Sequence, residues 1–453
     1  MRKFFVENLG CAKNQVDAEV MIAALQNEGW LFVSDSDEAE LIIINSCGFI
    51  QTAKEESIQV SLEMKERYPG KKIMLAGCFA QRYGEELTGS LPELDGIFGN
   101  RVLSRVSETA EKVMAGLKPV DLPESDEVSD VSATADGEKV QNEVKRKQIL
   151  SFKGSVYIKI SEGCNNGCSY CAIPLIRGGL KSRSISSIIR EIKSFLSEGY
   201  VEFNFVGQDL GSFGADRGEA EFITLLKEIS KIEGKFWIRL LYIHPDHFPE
   251  GLLTVCKEDP RILPYFDIPF QHASGPILKK MGRRGNREKY LSLINRIREE
   301  VPQAVIRSTF LVGFPGESNE DFRELLEFQN DARIDWLGVF SYSREEGTSA
   351  ARLAGPFSYK FHRKMREKRK DKINLLQQAV TEERMSRFVG QEMDVLIEEK
   401  VEGEDLFLGR GYLQAPDVDG LIVINSENLE CGRLVRCKIV KQNGIDLEAV
   451  PLI

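Results

Sequence analysis

The sequence predicts an α/β protein in three parts. These are a parallel α/β domain at the N-terminus, a partial, TIM-like β/α barrel of six units in the middle, and a small antiparallel β-barrel at the C-terminus. Three observations predict it. Continuous apolar runs alternate with helical spacing in the first part, the pattern of parallel strands joined by crossover helices. The same alternation resumes after residue 150 and continues through six units. From about residue 386, short alternating strands are separated by glycines, as in small barrels.

In residues 1–117, the runs Phe4–Asn8, Leu41–Asn45 and Lys72–Ala76 read as strands. Helical spacing follows the first through Val20, Met21, Ala24 and Leu25, and a helix over Thr52–Arg67 follows the second. Each run ends beside a cysteine: Cys11, Cys47 and Cys78. Carboxyl ends of parallel strands line one crevice, so residues distant in sequence can meet there. The plainer reading is three buried structural thiols. Residues 118–149 are rich in Asp, Glu, Ser, Lys and Val without periodicity, and Asp121–Glu138 reads as an acidic, flexible linker. In residues 150–381 the candidate strands are Val156–Ile160, Glu202–Val206, Trp237–Tyr242, Tyr265–Ile268, Val305–Val312 and Trp336–Tyr342. Active sites of such barrels lie at the C-terminal strand ends. Cys164 falls after the first strand, Gln208 after the second and Gly313 after the fifth. In residues 386–453, Met393–Glu398, Leu421–Ile424 and Leu434–Val440 read as short strands.

Composition narrows the function classes. Of 453 residues, 42% are hydrophobic and 29% charged, ordinary for a soluble globular protein. No apolar run approaches the roughly 20 residues of a membrane span. The opening run Phe4-Phe5-Val6 is too short for the apolar core of a signal peptide, so the expected location is the cytoplasm. A net charge of −10 excludes a generic polyanion binder. Nine cysteines in such a chain point to metal or redox chemistry rather than disulfides.

The strongest local signal is Gly163-Cys164-Asn165-Asn166-Gly167-Cys168-Ser169-Tyr170-Cys171, with spacing C-x-x-x-C-x-x-C. A structural zinc site takes four protein ligands. Three thiolates on one tight loop suit three irons of a cubane, with the fourth open to a small chelating ligand. A zinc knuckle or a plain loop is the alternative. The pattern resembles the radical-SAM superfamily. That resemblance implies a 4Fe–4S cluster on Cys164, Cys168 and Cys171, S-adenosylmethionine chelated at the open iron, and Tyr170 packed near the adenine. Gly207-Gln208-Asp209 stands where the superfamily's glycine-and-acid motif holds the methionyl amine, though it departs from the usual Gly-Gly-Glu. Phe310-Leu311-Val312-Gly313-Phe314-Pro315-Gly316-Glu317 resembles the superfamily's fifth strand, where Gly313 would let backbone approach the adenosine. A polar strand end and a tight turn are the plainer readings of these two.

A radical-SAM core behind a three-cysteine domain resembles the methylthiotransferases. The resemblance spans nearly the whole chain except the acidic linker. It implies a second 4Fe–4S cluster on Cys11, Cys47 and Cys78, again with an open iron, and a C-terminal TRAM domain. One branch of that family modifies adenosines of tRNA, and another an aspartate of the small-subunit ribosomal protein S-twelve. Three passages resemble the ribosomal-protein branch: Leu9–Asp17, Asn45–Ile50 with Ala53–Ser57, and Asp267-Ile268-Pro269-Phe270-Gln271-His272-Ala273-Ser274.

Charge agrees with that branch. Residues 386–453 hold 13 acidic and 7 basic side chains, the wrong balance for phosphates and a suitable one for a basic protein. Lys360–Lys372 points the other way, with eight Lys or Arg, although such a run is commonly a solvated helix face.

The family mechanism implies that an external electron donor reduces the core cluster, which gives S-adenosylmethionine one electron. The 5′-deoxyadenosyl radical then takes hydrogen from the aspartate β-carbon. Sulfur presented at the N-terminal cluster, methylated by a separate S-adenosylmethionine, is transferred there. Methylthiolation of tRNA and a non-catalytic iron–sulfur electron carrier remain the alternatives. Cys256, in an expected helix, and Cys431 and Cys437, in the tail, read as small buried hydrophobes. His244, His247 and His272 lie near strand ends, either lining the cavity or satisfying local hydrogen bonds.

Overall fold

The computed structural model describes residues 1–124 and 145–452. Most of the segment expected as a linker, residues 125–144, lies outside them.

The first sheet contains β1 (Lys3–Asn8), β2 (Leu31–Phe32), β3 (Leu41–Ser46), β4 (Lys72–Ala76), β5 (Gly96–Phe98) and β6 (Val120–Asp121). Its order is β2-β1-β3-β4-β5-β6, and every pairing is parallel. Helices α1 (Ala12–Asn27), α2 (Gln51–Arg67), α3 (Gly77–Ser90) and α4 (Val106–Met114) connect the strands. Central β3 is buried along its whole length, as a strand covered on both faces must be. Its alternate residues serve two cores. Ile43 packs with Phe4, Met21, Leu25 and Met74, whereas Ile42 and Ile44 pack with Ile73, Leu75 and Phe79. The sheet also extends past residue 117, into the segment expected as linker. Asp121 pairs with Phe98 and accepts from Thr109 Oγ1 at 3.1 Å and Arg105 at 2.8 Å. A two-residue edge strand is too short to show periodicity, so only its partners reveal it.

The central sheet contains β7 (Ser155–Lys159), β10 (Glu202–Val206), β11 (Trp237–Leu240), β12 (Ile262–Asp267), β13 (Val305–Val312) and β14 (Trp336–Ser341). Between β7 and β10, β8 (Ser161–Glu162) and β9 (Lys181–Ser182) pair antiparallel around the cysteine loop. The six parallel strands run β14-β13-β12-β11-β10-β7, open between β7 and β14, hence a partial barrel. Outward-facing Ile158, Phe203, Phe205, Ile238, Phe266 and Ile306 form one core with the surrounding helices.

The C-terminal barrel closes in the order β15 (Glu392–Lys400), β16 (Leu406–Arg410), β17 (Ile422–Asn425), β19 (Asp446–Pro451), β18 (Leu434–Asn443). Four pairings are antiparallel, but β17 and β19 pair in parallel, a departure from the wholly antiparallel expectation. Closing a five-stranded ring leaves one junction whose strands run the same way. Cys256 and Cys437 are buried as expected, but Cys431 is partly exposed in the turn before β18.

This barrel plugs the inner face of the central sheet. Tyr157, Val206, Trp237, Tyr265 and Trp336 share one core with Val16 of α1 and with Val395, Leu413 and Ile422. Trp336 Nε1 donates to Leu413 O at 2.7 Å, and Tyr265 OH to Asp419 at 2.5 Å. Among the described residues, no helix is long and apolar enough to cross a membrane.

Candidate functional site

Neighbouring strands β1, β3 and β4 bring their carboxyl ends, and the three cysteines that follow them, to one edge. Cys11 caps α1, Cys47 follows β3, and Cys78 sits in the first turn of α3. The loops touch: a Cβ placed on Gly10 would lie 3.2 Å from Cys47 Cβ, and one on Gly48 would lie 3.0 Å from the Cys78 carbonyl carbon. Gly77, at φ +93°, brings Cys78 to this edge, and a Cβ there would come within 2.6 Å of Ser46 O and Asn45 Oδ1. Asn14 ties the edge together. Its Nδ2 donates to Leu9 O at 3.3 Å and Ser46 O at 3.0 Å, and its Oδ1 accepts from Cys78 Sγ at 3.2 Å. Asn100 Nδ2 donates to Cys78 Sγ at 3.3 Å. The trio grades inward, with Cys11 exposed, Cys47 half-buried and Cys78 buried.

The second trio occupies the loop between β8 and α5 (Ile173–Arg177). Cys164 Sγ accepts from Asn166 N–H at 3.4 Å, and Cys171 Sγ from Ile173 N–H at 3.5 Å. The connection 281–286 clamps the loop from the other side. Ser169 N–H donates to Met281 O at 2.9 Å, and Arg283 Nε to Tyr170 OH at 3.3 Å. A cavity of about 670 Å³ is lined in part by Cys164, Cys168, Asp209, His244 and His247.

The carboxylate of Asp209 is fully engaged by protein donors. It accepts from Asn166 Nδ2 at 3.0 Å, Ser212 Oγ at 2.7 Å, Gly211 N–H at 3.2 Å and His244 N–H at 3.1 Å, and faces His247 Nδ1 at 2.6 Å. Burial alone would raise its pKa, but His247, Ser212 and Asn166 hold the carboxyl at about 2. Asp209 thus braces the cysteine loop from behind. Half-buried Gln208 makes no hydrogen bond among the described residues and is the freer of the two. Gly313 has φ +71°, and a Cβ there would lie 2.0 Å from Arg366 Cγ, so helix packing as well as backbone shape demands glycine.

The N-terminal domain closes over these strand ends. Lys13 Nζ donates to Gly207 O at 3.3 Å and lies 3.4 Å from the centroid of the Tyr242 ring. Glu345, beyond β14, accepts from Lys54 at 3.0 Å and Arg82 at 2.7 Å. Tyr242 and Gln271, just beyond β11 and β12, hold φ +70° and +68°. Such strain in non-glycine residues clusters at functional sites. Sequence reasoning missed both, because only a glycine advertises positive φ. It missed Lys13, Arg177 and Arg283 too, because their partners lie far along the chain.

Comparison with known proteins agrees with this layout. The chain matches the family models described as uncharacterized protein family UPF0004 over residues 3–99, the radical SAM superfamily over residues 158–328 and the TRAM domain over residues 389–452. It is 46% identical to the ribosomal protein uS12 methylthiotransferase RimO of Treponema denticola, covering 97% of this chain and 99% of the relative. It is 39% identical to the RimO of Carboxydothermus hydrogenoformans, covering 98% of each. The chain belongs to the RimO family. Among solved structures, TsrM from Kitasatospora setae, a radical S-adenosylmethionine methyltransferase, shares the fold at 16% identity. Its TM-score is 0.54 over 75% of this chain and 73% of that one.

For a RimO-family chain the donor set can be tested against iron–sulfur clusters. Burial pushes the thiols of Cys78 and Cys171 up to about 12 and that of Cys164 up to about 11, so a bound cation is needed to ionise them. Among the described residues, no three His, Cys, Asp or Glu side chains converge as a single ion requires. Thiolates that each take a different iron of a cubane need no such convergence. Three thiols per trio, each able to take a different iron, are the donor set that a cubane with one open iron calls for.

Two other expectations resolve differently in this RimO-family fold. In the basic run Lys360–Lys372, Arg366 and Arg369 are buried, and Arg369 pairs with Glu317 at 2.6 Å, so part of the run is structural. His272 is wholly buried. Its Nδ1 accepts from Ser274 N–H at 3.0 Å, and its Nε2 has no partner among the described residues.

Burial pushes His272 from 6.5 down to about 3. The unfolded chain then takes the proton first. The stability this neutral ring contributes is present above about pH 6.5 and lost as pH falls toward 3, by up to about 1.4 kcal/mol per pH unit. His272→Asn keeps an acceptor for Ser274 and is expected to flatten that acid slope in denaturant melts. An unchanged slope would remove His272 from the account.

Proposed function

We infer that this chain is a radical-SAM methylthiotransferase that adds a methylthio group to the β-carbon of an aspartate of ribosomal protein uS12. Residues 1–117, with β6 completing their sheet, act as the methylthiotransferase domain, the rest of 118–149 as the linker, 150–381 as the radical-SAM core and 386–453 as the TRAM domain. One observation carries the reading: two cysteine trios face the same seam, one at the strand ends of the N-terminal sheet and one at the strand ends of the central sheet, with Arg177 touching both neighbourhoods.

Cys164, Cys168 and Cys171 would hold one 4Fe–4S cluster, and Cys11, Cys47 and Cys78 a second. When bound, the clusters and S-adenosylmethionine supply one-electron cleavage chemistry and a sulfur source, which no amino-acid side chain can provide. The chain's own residues position these groups. Asp209 and Arg283 brace the core loop from two sides. Tyr170 would pack near the adenine, Gln208 offers a free amide toward the methionyl end, and Gly313 lets the fifth strand come close. Lys13 and Tyr242 seal the seam between the domains against water. The acidic C-terminal barrel suits a basic ribosomal protein and would speed encounter more than it tightens the final complex. An external electron donor completes the system, and the cytoplasm is the compartment that suits a ribosomal substrate.

Anaerobically reconstituted, reduced enzyme supplied with S-adenosylmethionine is expected to raise the mass of uS12, free or in small subunits, by one methylthio group less the hydrogen it replaces, and to leave tRNA unchanged. Mass spectrometry of both substrates checks this. Modified tRNA beside untouched uS12 would establish the tRNA branch instead.

A further inference from the structure

Arg177 belongs to the central domain but reaches a cysteine of the N-terminal one. It closes α5, the helix that follows Cys171. Its Nη2 donates to Cys78 Sγ at 3.2 Å, Asn14 Oδ1 at 2.8 Å and Asp17 Oδ2 at 2.9 Å. Its Nη1 donates to Glu162 Oε1 at 2.9 Å, and Glu162 stands just before Gly163-Cys164. Lys159 Nζ closes the ring, meeting Asp17 at 2.5 Å and Glu162 at 2.7 Å. The four charged side chains are exposed by 10% or less, so solvent screens them little.

The two carboxylates balance the two cations, and one face of the guanidinium still points at sulfur. A charge-assisted donor is roughly twice as strong as a neutral one. The core trio is treated differently: Cys164 and Cys171 accept from neutral backbone N–H groups, Cys168 meets His244 Nε2 at 4.0 Å, and among the described residues no guanidinium donates to a core sulfur. Hydrogen bonds and net charge around cluster sulfurs set the reduction potential, because the reduced cluster carries one more negative charge. A charge-assisted N–H donor held at the sulfur favours that form.

We propose that Arg177 is a positioning residue that raises the reduction potential of the N-terminal cluster and locks that cluster's cysteine edge to the core loop. The proposal rests on the two-cluster reading and adds to it an asymmetry between the clusters. Lysine cannot replace the residue, since a point charge on a flexible stem cannot serve four acceptors in a fixed fork.

The test uses the full chain with Cys164, Cys168 and Cys171 all changed to Ala, which leaves only the N-terminal cluster. Redox titration followed by EPR gives its midpoint, and iron and sulfide analysis gives its content. Adding Arg177→Lys, or the charge-balanced pair Asp17→Asn with Arg177→Gln, is expected to keep the iron. Each is expected to weaken the reduction equilibrium at least tenfold, a shift of about 59 mV to more negative potential for one electron. Iron retained with an unmoved midpoint would overturn the proposal. So would loss of iron in both variants, which would make the role purely architectural. If the triple-alanine parent holds no cluster at all, the two-cluster reading itself fails, separately from Arg177.

Discussion

Cys164→Ala is expected to abolish reductive cleavage of S-adenosylmethionine, whereas Cys47→Ala is expected to spare that cleavage and stop methylthio transfer. The two effects separate because the proposed mechanism gives each trio a different step. Cys164 lies on the core loop, beside the cavity it shares with Asp209 and His244. Without its thiolate the core cubane would lose one of its three anchors. Cys47 belongs to the other edge. It is half-buried, and its loop contacts run to Ser57, whose Oγ donates to Cys47 O at 3.3 Å, rather than to the core loop. It is a cleaner probe than Cys78, whose sulfur also meets Arg177 and Asn100. Quantifying 5′-deoxyadenosine and methylthiolated product in the same reaction reads the steps apart. The Cys47 variant should fall to background in product while releasing 5′-deoxyadenosine, and its iron should drop from two cubanes to one. Product formed at the unmodified rate by this variant would remove the second cluster.

The second large effect is structural. Glu202→Ala is expected to undock the C-terminal barrel. Glu202 lies on the inner face of the central sheet and is wholly buried. It accepts from Arg239 Nε at 3.0 Å, from Arg410 Nη2 at 2.6 Å and from Ser155 Oγ at 2.7 Å. The two arginines also serve the barrel: Arg239 donates to Tyr412 O at 2.8 Å, and Arg410 to Glu398 at 2.8 Å and Gln414 O at 3.1 Å. Removing the carboxylate leaves buried Arg239 without an acidic partner and Arg410 with Glu398 alone, a loss of roughly 3–5 kcal/mol. Hydrogen exchange should rise at Gly411–Gln414, and proteolysis should begin near residue 386. Exchange unchanged from wild type would mean the apolar interface alone holds the barrel.

Acid treatment tests the same link with a defined sign. Burial would raise the Glu202 pKa, but Arg410 and Arg239 hold it well below the ordinary carboxylate range. Its contribution is therefore complete above the unfolded value of 4.5, fades as pH falls below that, and is gone once pH has passed the depressed one. The barrel should stay docked through mild acid in wild type, and Glu202→Gln should remove that feature.

Much of the architecture was legible from periodicity. The strand expected at Val305–Val312 is β13, residue for residue, and Glu202–Val206 is β10. Both are unbroken apolar or half-apolar runs between polar helices, which pattern alone locates. β6, β16 and β19 were not legible. β6 is two residues long, and β16 and β19 are alternating runs too short to stand out until ring closure gives them partners. Among site residues, the cysteines announced themselves by spacing or by following strands. Tyr242, Gln271 and Arg177 did not, because positive φ in a non-glycine residue and an ion pair spanning two domains leave no mark at short range.

By itself, the sequence determined the class of chemistry. Cysteine spacing and the order of apolar runs are local properties, and they reach the thiolate loop, the parallel sheets and the family without any coordinates. Tertiary structure alone decided which groups touch across domains. Asp209 turned out to brace a loop, the acidic barrel to plug the inner face of the central sheet, and a central-domain guanidinium to meet an N-terminal sulfur. Hydrogen bonds act over about 3 Å, whereas these partners are separated by tens of residues, so only folding brings them within range.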